Sequence, residues 1–448
     1  MRFIGILMIF MLGAEAYAVD EAMLAFGDLR GYLEPCGCDE KTNLGGVKRI
    51  KKILDFEKVY YKDLLVFGLG NNLDPDAPKS TRSIFVLRAL KKLNLTATLF
   101  NQIEMVNKDF AANNGEKLNY VLSNLKGQPI KSVAKIRRAT GWDIFGFLEP
   151  RDGNNAAPLS KELLSGWNRQ KRKNAKTLLL YSGGDVQLAK LRDTGFFDRI
   201  IMSNSLPFSS PPSYLERVNY LDLIKDKGAD IWMVPSGGQG LLRYDRARFE
   251  KPKTVFEISK EKECFGLACE TGEPSFLKSA QYITWLDPSV GEQGQFEQLF
   301  EEYSNFASIE FEKWAEKRVL GLEGSRFAGS RSCQACHPSA YAAYQKSAHA
   351  KAYSTLVKAE KDRDLECVGC HVLGFTEDGG FASIKSSPHL ANVQCENCHG
   401  PRKEHVQNPL LKPESNPKQI CVSCHHIPHS SDFVYDDYWP KIQHAAEK

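Results

Sequence analysis

Short apolar runs, each closed by glycine, proline or small polar residues, recur along the first two thirds of the chain. Met23 to Phe26, Leu64 to Phe67, Ala97 to Phe100, Ile144 to Leu148, Thr177 to Tyr181, Ile200 to Met202 and Ile231 to Val234 are too short for buried helices and read as buried strands. Between them, Val47 to Val59 and Ile84 to Leu93 repeat apolar residues at helical spacing. Strands alternating with helices predict an α/β fold. From Gly291 to Leu320 the pattern becomes that of one helix, with Phe296, Leu299, Phe300, Tyr303, Phe306, Phe311 and Trp314 on its apolar side and Gly321 and Gly324 to end it. Beyond it the long patterns stop. Short helices such as Ala340 to Val357 and loops around Gly379-Gly380 and Pro409 to Pro417 are expected, with little conventional core.

The first residues follow a different rule. Arg2 precedes an apolar run from Phe3 to Leu12, and Ala16-Tyr17-Ala18 forms a small-x-small cleavage signal before Val19. This predicts a signal peptide over residues 1–18. The run is far short of the roughly 20 residues that span a bilayer. No later segment reads as a span, so the expected product is exported, periplasmic or similar, with no membrane span after cleavage.

A chain of 448 residues with 42% hydrophobic content can bury sizeable cores. The expected division is an α/β domain over 19–290, a connecting helix over 291–325 and a small, mostly helical domain over 326–448. The formal charge of +4 is modest, and no basic stripe interleaved with aromatics suggests nucleic acid.

Cysteine and histidine then sharpen the picture. Of the 12 cysteines, those after residue 330 fall into Cys333-Gln-Ala-Cys336-His337, Cys367-Val-Gly-Cys370-His371, Cys395-Glu-Asn-Cys398-His399 and Cys421-Val-Ser-Cys424-His425. In C-x-x-C-H two thiols are spaced to add across the vinyl groups of one porphyrin, and the adjacent histidine binds its iron. Paired thiols also build zinc sites, and an exported chain uses them in disulfides. Neither explains a histidine after every second cysteine. At roughly 2% per position, four in four by accident has odds of order one in ten million. The pattern predicts four covalently bound haem c groups. All 10 histidines lie at or after His337, so His349, His389, His405, His426, His429 and His444 are available as sixth ligands.

The stretch Cys333 to His444 resembles the tetrahaem cytochrome family that accepts electrons from hydroxylamine oxidoreductase in nitrifying bacteria. The resemblance lies in Cys336-His337-Pro338, Ser347-Ala348-His349, Val393-Gln394-Cys395-Glu396-Asn397-Cys398-His399-Gly400-Pro401 with His405 beyond, and Phe433, Tyr438-Trp439-Pro440-Lys441-Ile442 with His444. It implies that His349, His405 and His444 are distal iron ligands and that the haem on Cys367 and Cys370 lacks one. His389, an addition just before the third motif, is the expected ligand closing that fourth site. His426 and His429 read as surface residues.

Residues 19–290 resemble the exported 5'-nucleotidase branch of the metallophosphoesterases, a sandwich of two sheets flanked by helices. The resemblance rests on Gly27-Asp28-Leu29-Arg30-Gly31, Gly68-Leu69-Gly70-Asn71-Asn72, Asn101-Gln102-Ile103-Glu104 and Gly237-Gly238-Gln239-Gly240. A dinuclear phosphoesterase centre needs histidines and carboxylates. This region has no histidine: Arg30, Gln102, Gly183 or Gly184, and Asn204 or Ser205 stand in those places, while Asp28, Asn101 and Glu104 survive. Phosphoesterase activity is therefore not expected. Pro35-Cys36-Gly37-Cys38, followed by Gly45-Gly46, resembles a phosphoesterase-like group in which this C-x-C is a hallmark, implying thiol redox or metal chemistry. The other reading of Cys36 and Cys38 is structural, in disulfides with the remaining pair, Cys264 and Cys269, which can also pair with each other.

Two function classes follow: an electron carrier between redox partner proteins, fused to a pseudo-phosphoesterase domain used for docking or thiol redox, and a multihaem reductase acting on a small nitrogen compound at a five-coordinate haem. No catalytic residue is assigned on the first reading.

Overall fold

The computed structural model describes residues 22–35, 43–61, 63–203, 230–245, 281–292, 294–411, 417–425, 430 and 433–444. The expected signal peptide, Cys36, Cys38, Cys264, Cys269, Asn204, Ser205, His426 and His429 lie outside the described residues.

Residues before Leu286 form an α/β unit of two sheets. The first has seven strands, β1 Ala22–Phe26, β2 Leu64–Gly68, β3 Ala97–Leu99, β4 Tyr120–Val121, β5 Val133–Ala134, β11 Gly240–Asp245 and β12 Gln281–Trp285, in the order β12-β11-β1-β2-β3-β4-β5. The second has five, β6 Ile136–Ala139, β7 Trp142–Leu148, β8 Lys176–Ser182, β9 Arg199–Ser203 and β10 Asp230–Val234, in the order β10-β9-β8-β7-β6. Each sheet is mostly parallel, with antiparallel strands at an edge. Parallel strands need covered faces, and helices supply the cover. These are α1 Val47–Tyr60, α2 Thr81–Leu93, α3 Gln102–Val106, α4 Lys108–Asn114, α5 Lys161–Gln170 and α6 Asp185–Asp193.

Alternation along the second sheet shows how the layers meet. Ile144, Leu178, Leu180, Ile201, Trp232 and Val234 join the core shared with the first sheet. Their neighbours Phe145, Phe147, Leu179, Tyr181, Ile200, Met202 and Ile231 pack outward with Trp167 of α5 and Leu188 and Leu191 of α6. Gly146 marks the closest approach: a Cβ there would lie 2.5 Å from the Val121 carbonyl oxygen and 2.9 Å from Leu99 Cδ1.

Every apolar run read as a strand is one. The strands not foreseen, β4, β5, β6, β11 and β12, are either two to four residues long or carry polar residues such as Arg137, Arg138 and Arg243. Tyr120, Val121, Leu241, Leu242 and Trp285 in them are buried, but the apolar runs are too short or too interrupted by polar residues for an apolar-run signal to find them.

The helix expected from Gly291 to Leu320 is α7, Glu297–Val319. It packs on α2 through Phe85, whose ring meets Tyr303 at 5.4 Å and Phe306 at 5.8 Å. Its other end enters a third core, where Phe311 and Ala315 meet Phe327, Tyr353, Leu356, Val368, Val372, Leu373, Phe381 and Leu390.

The rest of the C-terminal region is short helices and turns: α8 Pro338–Lys346, α9 Ala352–Lys358, α10 Leu365–Val368, α11 Cys395–His399, α12 Lys403–Gln407, α13 Pro417–Cys421 and α14 Tyr435–Tyr438. The single helix expected over Ala340 to Val357 is corrected to two. Ser347 turns extended, its hydroxyl bonding the Tyr344 carbonyl at 2.6 Å, and a 3-10 turn over His349–Lys351 precedes α9. Ser347 competes with the helix for its own carbonyl, and the break turns His349 out of line with both helices.

Candidate functional site

Each C-x-x-C-H segment folds as a tight helical turn. His337 N donates to the Cys333 carbonyl at 2.9 Å and His425 N to the Cys421 carbonyl at 2.8 Å. One helical turn thus separates the first cysteine from the histidine, so both thiols and the imidazole gather on one side.

The turns and loops then bring six histidines into three facing pairs. Ring centroids lie 6.3 Å apart for His337 and His405, 6.1 Å for His349 and His425, and 5.9 Å for His399 and His444. Two imidazoles binding one iron from opposite sides, with bonds of about 2.0 Å and about 1.1 Å from nitrogen to ring centre, have centroids roughly 6 Å apart. Each pair contains one histidine of a C-x-x-C-H motif and one outside it. His405 Nδ1 lies 2.6 Å from the Leu411 carbonyl oxygen and His444 Nδ1 3.1 Å from that of Ile442. An Nδ1–H donated to a carbonyl leaves Nε2 for a metal. Burial pushes His349 and His399 below their ordinary values, helped by His425 and His371 beside the first and by His444, Arg402 and His337 beside the second. A lowered value favours the neutral imidazole, the form that can ligate a metal.

His371 is different. Its Nδ1 lies 2.7 Å from the Ala352 carbonyl oxygen and 3.4 Å from Thr355 Oγ1. Among the described residues no histidine ring faces it. His389, expected to close this site, makes no ring contact with His371 among the described residues, although the chain beside it pairs with the chain after His371, Leu373 N donating to the Leu390 carbonyl at 2.9 Å. His389 is exposed on the 3-10 turn Pro388–Leu390; its carbonyl accepts Gln394 Nε2 at 2.7 Å, and its ring edge lies near Gly329, before the first motif.

The surroundings fit a large apolar prosthetic group. Among the described residues, α8, α12 and α14 bury no side chain at all. Val406, Leu410, Leu411, Val422 and Val434 stand exposed beside the paired histidines, Leu410 at 87%. Helices with no protein core and apolar residues around iron-ligand pairs are what porphyrin faces would cover. The second motif is the exception, because Val368 and Val372 on either side of Cys370 are wholly buried in the third core.

The motifs adjoin one another. Cys333 and Cys395 lie side by side, and their interaction pulls Cys395 below and holds Cys333 above the ordinary thiol range. Cys398 lies close enough to Cys421 and Cys424 to be pushed up by them, after burial, to about 11. Asn397 Nδ2 donates to the Val372 carbonyl at 3.0 Å, tying the third motif to the second.

Glu396 is a site residue that sequence reading missed. Buried within the third motif, its carboxylate accepts Ala328 N at 3.0 Å, Gly329 N at 2.7 Å and Arg402 N at 2.7 Å. It fixes the chain entering the first motif and the chain leaving the third. The available signal was its place: both intervening residues of this motif, Glu396 and Asn397, are strongly hydrogen-bonding, unlike those of the other three.

In the α/β unit the surviving polar residues are spent on structure. Asp28 Oδ2 accepts Arg30 Nε at 2.5 Å, and its Oδ1 accepts the Ser203 and Ser236 hydroxyls, each at 2.7 Å. Glu104 accepts Asn71 N at 2.8 Å and Asn72 N at 2.7 Å, and Asn101 Nδ2 donates to the Leu69 carbonyl at 2.8 Å. Arg30, Asn71, Gln102, Arg151 and Ser182 line a cavity of about 280 Å³ above them. Among the described residues no group of three or more histidine, cysteine, aspartate or glutamate side chains is arranged to hold a metal ion. No helix among them is long and apolar enough to cross a membrane.

Residues 332–400 match the family model described as "Cytochrome c554 and c-prime". Cytochrome c-554 of Nitrosomonas europaea is 40% identical over 90 residues, which cover 17% of this chain and 38% of that protein. The chain therefore spans well under half the length of this curated relative. Among solved structures, the calcineurin-like phosphoesterase YfkN of Bacillus subtilis is 14% identical with a TM-score of 0.41, covering 64% of this chain and 98% of its own. The 5'-nucleotidase precursor of Thermus thermophilus is 16% identical with a TM-score of 0.42, covering 69% of this chain and 60% of its own.

Proposed function

We propose, from a C-terminal region that is a c-type cytochrome of the c554 kind, that this protein carries four haem c groups and passes electrons between redox partner proteins on the far side of a membrane. The observation that carries the reading is the set of three histidine pairs spaced for one iron each. Haem supplies one-electron chemistry at iron when bound. The chain does the rest. Cys333 and Cys336, Cys367 and Cys370, Cys395 and Cys398, and Cys421 and Cys424 anchor one group each. His337, His371, His399 and His425 bind from the motif side, and His405, His444 and His349 oppose the first, third and fourth. Two imidazoles on an iron exclude exchangeable ligands and favour electron transfer over ligand chemistry. Contact of the third motif with each of the other three supports short hops through the set.

The α/β unit serves on this reading as a docking platform with no phosphoesterase activity. Supporting that, Arg30 rather than a histidine meets Asp28, and the surviving polar residues act as backbone and side-chain anchors. Glu34, two residues before Cys36, forms an ion pair with Lys361 of the loop leading into the second motif. Thiol redox exchange between Cys36, Cys38 and the haem region is the finer part of this reading, with a structural role in disulfides as its alternative.

A second reading, reduction of a small nitrogen compound at a five-coordinate haem, is favoured by one observation: the Thr355 and Ala352 surroundings of His371, with His389 held elsewhere. Absorption and EPR spectra of the haem-loaded protein, with carbon monoxide added to the reduced form, separate the two. Four low-spin haems indifferent to the gas support the carrier. One high-spin haem in four that binds it moves the function to the iron at His371.

A further inference from the structure

Arg82 stands in the first turn of α2, where a cation opposes the helix dipole and no acidic residue accompanies it. Helix stability does not explain it. The side chain is 16% exposed and reaches out of the α/β unit to the loop that carries the second motif. Its guanidinium pairs with the Glu366 carboxylate and lies 3.8 Å from Asp364 Oδ2. Asp364 is itself fixed: its Oδ2 accepts the Tyr303 hydroxyl of α7 at 3.0 Å, and its Oδ1 caps α10 through Glu366 N at 3.1 Å. The four-residue helix α10 carries Cys367. Three separate segments, α2, α7 and α10, thus converge on one charge cluster, with Asp364 buried at its centre and Glu366 at its exposed rim, beside a single haem-attachment cysteine.

We propose that Arg82 is a positioning residue for the haem on Cys367 and Cys370, holding the attachment helix in place and setting that haem's reduction potential apart from those of the other three. The inference rests on the reading that this motif carries a haem. The electrostatics give its sign. Two carboxylates beside the motif favour the oxidised, more positive iron, and one buried guanidinium opposes them. Removing the guanidinium lowers the potential; removing a carboxylate raises it. Through Arg82 the α/β unit acts on electron flow at this haem, beside the Glu34–Lys361 ion pair to the same loop.

The test uses the full chain loaded with haem: wild type, Arg82→Gln, Arg82→Lys and Glu366→Gln, each titrated spectroelectrochemically with EPR to assign the haems. In Arg82→Gln one of four potentials should fall, by about tenfold in the reduction equilibrium or about 59 mV for a one-electron couple. Arg82→Lys should recover most of the shift, and Glu366→Gln should move the same haem upward. Hydrogen exchange over residues 361–371 should quicken in Arg82→Gln alone, a readout independent of haem chemistry. If Arg82→Gln does not accumulate, Glu366→Gln decides by the same criterion. Unchanged potentials, or a uniform shift of all four, overturn the proposal. A haem count of three in the wild type, by pyridine haemochrome assay, overturns instead the reading of the second motif on which it stands.

Discussion

The histidines divide by what faces them, and single substitutions should reveal the division. Replacing His349 by alanine removes the ring 6.1 Å from His425 while leaving the fourth attachment motif intact. One low-spin haem should become high-spin and bind carbon monoxide, read by EPR and by the reduced-minus-carbonyl spectrum. His389→Ala should leave both spectra unchanged, because its ring faces the Gly329 turn and not His371. In the α/β unit Glu104 offers a test without haem. Both of its oxygens accept backbone N–H groups, from Asn71 and Asn72, and the residue is fully buried. Glu104→Gln leaves one of those donors facing an amide N–H. It should cost about 1–3 kcal/mol in urea denaturation, showing that this buried carboxylate supports the fold. Legibility at this scale was uneven. The sequence revealed all the iron-ligand candidates, since chemistry is written in residue type. It did not reveal which of them meet, or that Glu396 and Arg82 matter, because a carboxylate or guanidinium bonded to distant chain looks like any surface charge.

At the scale of elements, two small features control how the second motif is held. Ser80 caps α2, its hydroxyl accepting Ser83 N at 3.2 Å. Ser80→Ala should cost about 1 kcal/mol in denaturant titration and loosen the turn that presents Arg82. Gly380 closes the loop behind the motif. A Cβ there would lie 1.8 Å from the Gly374 carbonyl oxygen, whose own residue sits at a φ of +67°. Gly380→Ala therefore forces the loop off the third core. A loss of about 1–3 kcal/mol is expected, together with a red-shifted emission maximum of Trp314, which stacks on Phe375 at 4.8 Å in the same corner. The buried parallel strands were readable because both faces are apolar, as in Leu178 to Tyr181. Strand β12 and the break at Ser347 were not, since pairing with a distant strand in one case and a side-chain bond to a local carbonyl in the other leave no periodic trace.

For the molecule as a whole, the two regions differ in what fills them. The α/β unit has two side-chain cores of its own, whereas α8, α12 and α14 bury nothing without a prosthetic group. Protein made without haem attachment should lose residues after about 400 to mild proteolysis while fragments containing the two sheets survive, as mass spectrometry of the digest would show. The order of the histidine pairs adds a further consequence. Along the chain His337 pairs with His405, His349 with His425 and His399 with His444, so the three spans overlap and none closes inside another. They behave as interlocked clasps. If the pairs hold iron as proposed, a chain cut short before His405 would complete none of them, and one cut between His425 and His444 would leave only His399 without its opposing ring.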